Sequence, residues 1–210
     1  NLYIADGHHR AAGAYRVREE MKQRNHSHTG EEEYNFFLCV MFPSDQLNID
    51  AYNRYVSDLG VYSEQTFLDT IRQRCPVEET EQTEPQRKGE VCMYLNKKWY
   101  LIRMNELFTE SRNNPVENLD LTVFESVILT PMLQITDQRN DRRIDFVGGR
   151  GSDKKLSAIV DEHGGAAFTF YPISVDELLE VADADMIMPP KSTWFAPKLR
   201  SGLLVHTFEQ

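Results

Sequence analysis

The amino-acid sequence predicts an α/β protein with a mixed sheet and flanking helices, and three observations carry that expectation. Short apolar runs alternate along the chain with windows whose apolar residues recur at helical spacing. Two strand-like runs, 90–95 and 99–104, flank Asn96-Lys97-Lys98 as the arms of a hairpin flank its turn. Ser174 and Glu177 form a capping box ahead of another apolar window. A hydrophobic share of 40% in 210 residues is enough to fill a core, so a wholly disordered chain is excluded.

Taken in order, residues 2–5 read as a short buried strand and 6–9 as a turn. Residues 10–24 read as a helix with Ala11, Ala14, Tyr15 and Val17 on its buried side. Residues 25–33 form a polar loop ending in an acidic triplet, and 34–42 are a hydrophobic strand stopped at Pro43. Together these spell a βαβ unit with a right-handed crossover. Ser63 caps a helix to about residue 74 that carries Phe67, Leu68 and Ile71. Residues 78–89 are an exposed connection into the hairpin. Asp120 is expected to cap a helix holding Val123, Phe124, Val127 and Ile128, which Thr130-Pro131 should end or kink.

Residues 144–147, Gly148-Gly149, a Ser152-capped helix to 162 and residues 166–171 make a second βαβ-like unit. A helix over 175–182 follows Ser174. The tail from 188 to 210 is richer in Pro, Lys and Arg, with a strand-like run over 203–208. The change of character near residue 78 divides the chain into 1–77 and 78–210, the latter an α/β region with the hairpin and a basic tail.

The formal net charge of -10 and pI near 5.1 disfavour a broad nucleic-acid-binding face, though not a local phosphate pocket. Cys39, Cys75 and Cys92 are odd in number and far apart, which favours reduced thiols and a cytoplasmic setting. The longest apolar run, Asn35 through Phe42, is too short to span a membrane, and no membrane partner is expected. The chain opens within an apolar run that leads directly into a turn, so it reads as part of a longer protein.

That turn, Asp6-Gly7-His8-His9-Arg10, carries the sharpest chemical signal. Gly7 permits positive φ and close approach of a ligand, and Asp6 can brace the turn through amide hydrogen bonds. His8, His9 and Arg10 stand at a helix N-terminus, where unpaired N–H groups already favour an anion and Arg adds a planar fork for phosphate or carboxylate. A histidine there can also exchange a proton near neutral pH. The alternative is a structural helix cap with surface histidines. No catalytic residue is assigned.

Secondary candidates are Asn53 and Arg54, just after a strand, and Lys191, Ser192, Thr193 and Lys198 in the tail. Lys191-Ser192-Thr193 is not a P-loop, because the preceding Met186-Ile187-Met188-Pro189-Pro190 has no glycine and two prolines lack donors. Lys191, Lys198 and Arg200 can instead bring positive charge to the first turn. His26, His28 and His163 have no closely spaced partners, so no structural metal is expected.

Ala5 through Arg10 resembles the opening motif of the bacterial domain of unknown function 1015 family. Tyr52 through Leu59, Arg143 through Gly149, Met188 through Phe195 and Pro197-Lys198-Leu199 are similar to its later motifs. More remotely, a strand, then Asp-Gly-His-X-Arg, then a helix resembles the phosphate element of the ParB and sulfiredoxin-like fold, including free serine kinases. That resemblance implies that residues 1–77 are the C-terminal portion of a ParB/sulfiredoxin-like nucleotide-binding region, with phosphate binding at Gly7, His8 and Arg10, a nucleotide or phosphorylated small molecule as partner, and Mg²⁺ with ATP or ADP. It also implies phosphotransfer to a small hydroxyl-bearing metabolite, with a catalytic carboxylate upstream of residue 1. A module that senses the nucleotide without turnover is the alternative.

Overall fold

The structure is a computed structural model that describes residues 2–107, 114–196, 198–200 and 202–208; Pro197 of the C-terminal motif lies outside the described residues. Two compact units form, Asn1–Asn48 with Pro197–Gln210, and Ile49–Ala196.

The first unit is built on helix α1 (His8–Arg24), which starts at a left-handed Gly7 with φ 85°. Lys22 and Arg24 in its last turn suit the negative end of the helix dipole. None of its residues is buried, and Tyr15, expected inward, is exposed. The reason is in its composition: charged residues interrupt the apolar positions, so no continuous apolar stripe forms. The following loop is tied around Glu32, whose carboxylate accepts from Thr29 N at 2.6 Å, Gly30 N at 2.9 Å and Asn35 Nδ2 at 2.9 Å. Desolvation opposes ionisation of this carboxyl, but the hydrogen bonds from the Thr29 and Gly30 amides outweigh it and hold the group down at about 2.

The strand expected over 34–42 is not formed. A short turn over Glu33–Asn35 is followed by chain that joins no ladder among the described residues, and its expected neighbour, 2–5, is likewise outside any strand. An apolar run becomes a strand only when another strand completes its hydrogen bonds, and here none does. The run over 203–208 is not a strand for the same reason.

Strand β1 (Asn48–Asp50) leads into the second unit, which holds β2 (Tyr52–Val56), α2 (Glu64–Arg72), β3 (Val77–Thr80), β4 (Glu90–Leu95) and β5 (Lys98–Arg103). That unit continues with α3 (Asp120–Phe124), a π turn over Glu125–Leu129, α4 (Thr130–Leu133), β6 (Ile144–Gly148), α5 (Ser152–His163), β7 (Ala166–Phe170), α6 (Val175–Asp183) and β8 (Trp194–Ala196). Six strands form one sheet in the order β3-β5-β4-β7-β2-β6, and β1 pairs with β8. The division expected between residues 77 and 78 would cut β3, whose four residues pair with Trp99 through Ile102 of β5.

The α/β class holds, with a closer specification of the sheet: its five ladders are all antiparallel. β2 lies between β6 and β7 and pairs antiparallel with both, so those two strands run parallel to each other with α5 as the connection. The expected βαβ-like unit is therefore present with a strand inserted. The β4–β5 hairpin closes at Asn96 (φ 48°) and Lys97 (φ 61°), both left-handed, which is the twist-matched two-residue hairpin turn.

Alternation along β4 explains why both faces of the sheet are covered. Val91, Met93 and Leu95 join the main core with Phe67, Ile71, Phe124, Ile128 and Phe168. Tyr94 meets Leu156, Val160, Tyr55 and Ala167 in a second cluster on α5. Ser63 caps α2 as expected, accepting from Thr66 N at 3.2 Å, and the Ser174–Glu177 capping box is formed. Two expected caps differ. Leu119 occupies the cap position before α3 and Gly151 (φ 72°) that before α5, so Asp120 and Ser152 are first helical residues. Pro131 has no N–H for the Val127 carbonyl four residues back, and Arg74 Nη1 donates to that oxygen at 3.3 Å.

Candidate functional site

Gly7 and the residues around it form a compact cationic turn. The Gly7 carbonyl accepts from Arg10 N at 2.9 Å and Ala11 N at 3.0 Å, which starts α1. Gly7 N donates to Asp6 Oδ1 at 2.8 Å, and Lys198 Nζ donates to Asp6 Oδ2 at 2.8 Å. Asp6 thus braces the turn from outside the helix, and no side chain caps the first amides of α1. Burial pushes the Asp6 carboxyl up, but Lys198, the Gly7 amide and Arg10 together hold it below the ordinary carboxylate range.

The Arg10 guanidinium folds back over the glycine. A Cβ on Gly7 would stand 3.2 Å from Arg10 Nη2 and 3.3 Å from Nε, so glycine is required both by the positive φ and by this close approach. His8, His9 and Arg10 are exposed. The turn therefore presents helix amides, one guanidinium, two imidazoles and a lysine ammonium to solvent-borne anions, with one carboxylate already occupied.

The secondary candidates divide. Lys198 stands at this turn, whereas Asn53, Arg54, Lys191, Ser192 and Thr193 belong to the second unit. Asn53 and Arg54 depart from the expectation of ligand contacts. Asn53 is buried, donating to Ser152 Oγ at 2.7 Å and accepting from Phe170 N at 2.9 Å. Arg54 is 1% exposed, and its fork donates to the carbonyls of Tyr52, Lys191 (3.0 Å) and Pro190 (3.1 Å), while Nε donates to Gln138 Oε1 at 3.4 Å. The guanidinium also lies 5.0 Å from the Phe146 ring centre and 5.3 Å from that of Phe170. Burial pushes the Arg54 guanidinium down to about 9, with Glu125 opposing. Both side chains hold the fold, because their polar atoms are engaged inside it.

Arg54 thereby anchors the Pro190-Lys191 carbonyls. Lys191 adopts φ 53°, its Nζ lies 5.5 Å from the Tyr52 ring centre, and Ser192 Oγ donates to Pro189 O at 2.6 Å. Trp194 then covers Gly148-Gly149: a Cβ on Gly148 would fall 2.2 Å from Trp194 Cε3. The Gly148-Gly149 and Met188-to-Phe195 motifs are thus packing partners, a relation no spacing rule reveals.

A cavity of about 150 Å³ opens at the start of α5, lined among others by Asp50, Glu84, Gly149, Arg150, Gly151 and Ser152, none of them among the residues expected at a site. Burial, then Asp153 and Asp50, push the Glu84 carboxyl up. The readable signal was the glycine-rich Gly148-Gly149-Arg150-Gly151 between a strand and a helix. Among the described residues, no three or more His, Cys, Asp or Glu side chains gather to hold a metal ion. No described helix is long and apolar enough to cross a membrane.

Fold and site define an α/β protein with a helix-covered antiparallel sheet and, in its other unit, a cationic glycine turn opening a helix. Residues 1–122 match the family described as protein of unknown function, DUF1015, and the chain belongs to that family. No curated protein matches the sequence. Among solved structures, the chain is similar to a free serine kinase mutant in complex with AMP, at 13% identity over 92% of this chain and 66% of that one, TM-score 0.48. It is also similar to free serine kinase in complex with AMP, at 14% identity over 92% and 66%, TM-score 0.47. A conserved hypothetical protein from Pyrococcus furiosus matches at 15% identity over 92% and 69%, TM-score 0.44. The chain spans 66% of the length of the free serine kinase chains it matches.

Proposed function

We propose that the chain binds the phosphate of a nucleotide or phosphorylated small metabolite on the Asp6-Gly7-His8-His9-Arg10 turn. The observation that carries this reading is Arg10 folded over a left-handed Gly7 at the uncapped start of a 17-residue helix, with Lys198 beside it on Asp6. A helix N-terminus and a guanidinium at the same turn are donors of the kind a phosphate needs. The resemblance of this motif to a nucleotide-phosphate element extends the reading from anion to nucleotide.

Phosphoryl transfer to a small hydroxyl-bearing metabolite, serine among the candidates, is the activity such binding would support. Mg²⁺ would arrive on the nucleotide's phosphates, since Asp6, the carboxylate of the turn, is already engaged with Lys198 and the Gly7 amide. For the same reason Asp6 is not poised to take a proton, and this observation favours the sensing module as the second reading.

Calorimetric titration of ATP, ADP, CTP and pyrophosphate with Mg²⁺ tests the binding. The wild type should respond, and Arg10→Ala should weaken affinity roughly tenfold or more, as loss of a charge-assisted contact does. His8→Ala should weaken it less. Phosphorus-31 NMR with serine then separates transfer from sensing. If the wild type binds none of these compounds, the turn is a structural helix start and the proposal fails.

A further inference from the structure

The cavity at the start of α5 has walls that the fold holds in place. Asn53, itself buried, donates from Nδ2 to Ser152 Oγ at 2.7 Å and accepts from Phe170 N at 2.9 Å, so one side chain sets two of the lining residues. Thr169 Oγ1 donates to Thr83 O at 2.7 Å, and Thr83 Oγ1 donates to Asp153 Oδ2 at 2.9 Å, which ties the Glu84-Pro85 wall to β7 and to α5. Gly149 N donates to Ala51 O at 3.3 Å and closes the third side.

Polar groups of both kinds remain unspent there. Ser152 is 1% exposed, and its one hydrogen bond uses Oγ as acceptor, so the hydroxyl hydrogen has no acceptor among the described residues. No side chain caps α5, and its first amides have no acceptor within the helix. The buried end of the cavity therefore offers donors, beside the apolar Phe170 and Pro85. Its more exposed lining carries Asp50, Glu84 and Arg150, none of whose side chains makes a hydrogen bond or an ion pair among the described residues. Burial raises the Glu84 carboxyl and the like charges of Asp153 and Asp50 raise it further, so carboxylates repel one another at that end.

Donors and positive charge from Ser152, the helix start and Arg150 suit an acid group, and the two carboxylates suit an ammonium. A simple anion or a simple cation answers only half of this lining; a zwitterion answers both. A cavity of about 150 Å³ has room for about six non-hydrogen atoms, since benzene fills one of that volume, and alanine has that number. We infer that this cavity binds a small α-amino acid. Its carboxylate is held by Ser152 Oγ and the first amides of α5, its ammonium by Asp50 and Glu84, and its short side chain lies against Phe170 and Pro85. The site belongs wholly to the second unit and takes no nucleotide, so it stands or falls apart from the phosphate-binding turn.

Calorimetric titration of the chain with L-alanine, in the absence of nucleotide, tests the assignment. Saturable binding in the millimolar range or below is expected for so small a ligand. Propionate and ethylamine, each keeping one charged end, should bind at least tenfold more weakly, and L-tryptophan should be excluded by its size. Glu84→Gln and Asp50→Asn should each weaken alanine binding roughly tenfold. Both variants should match or exceed the wild type in urea unfolding, because neither carboxylate has a partner in the fold. Absence of alanine binding overturns the proposal, as does equal binding of ethylamine, propionate or L-tryptophan, or an alanine affinity that both variants leave unchanged. A loss of stability in Glu84→Gln also overturns it, by making that carboxylate part of the fold.

Discussion

Asp120 offers the sharpest test of the energetics. Its side chain is buried at the start of α3, and both carboxylate oxygens accept from Gly89 N at 3.0 Å. Burial pushes the carboxyl up from 3.8 to about 7; the Gly89 amide and Lys88 oppose this, and Glu177 adds to it. Because the folded form holds the proton more tightly than the unfolded chain, the contribution is complete below pH ~4 and is lost as pH rises toward ~7. A shift from 3.8 to about 7 corresponds to about 4 kcal/mol in full, of which about 2 to 3 kcal/mol falls between pH 5 and pH 8. Asp120→Asn keeps an oxygen to accept the Gly89 amide but cannot ionise. Urea unfolding of both proteins at pH 5, 6, 7 and 8 should show the variant gaining on the wild type by that amount as pH rises. A stability difference that stays flat across this range would refute the reasoning.

Three further predictions follow from the packing. Gly148→Ala drives a methyl group into the rigid Trp194 ring, 2.2 Å from Cε3, and should cost about 1–3 kcal/mol in urea unfolding; wild-type stability would sink this account of the motif. Arg54→Met leaves the Pro190, Lys191 and Tyr52 carbonyls without their donor and should cost about 2–4 kcal/mol, with faster proteolysis across residues 186–193. Equal cleavage rates in both proteins would show that Arg54 does not anchor that segment. Ser174→Ala removes the cap that accepts from Glu177 N at 3.1 Å and should lower the melting midpoint by the equivalent of about 1 kcal/mol.

Local signals were legible wherever a short stretch completes its own hydrogen bonds. The Ser63 cap, the Ser174–Glu177 box and the hairpin at Asn96-Lys97 depend on residues within a turn of one another, so their spacing suffices. Arg54 was not legible in this way. An arginine after a strand reads equally as a ligand contact or as a buried anchor, and the choice depends on carbonyls 136 and 137 residues away. Residues 36–42 failed in the opposite sense. Their strand character is plain in the side chains, but a strand exists only with a neighbour to complete its ladder.

By itself, then, the sequence determined the helix starts at Ser63 and Ser174, the hairpin turn, and the placing of Gly7 and Arg10 at the head of a helix. Those properties follow from backbone preference and side-chain period, which act over a few residues. The tertiary structure alone decided that β2 inserts between β6 and β7, that Trp194 closes over Gly148, and that Lys198 reaches Asp6 across 192 residues. Each is a contact between distant parts of the chain, where the outcome depends on which surfaces fit and which polar groups remain to be satisfied once the local elements have formed.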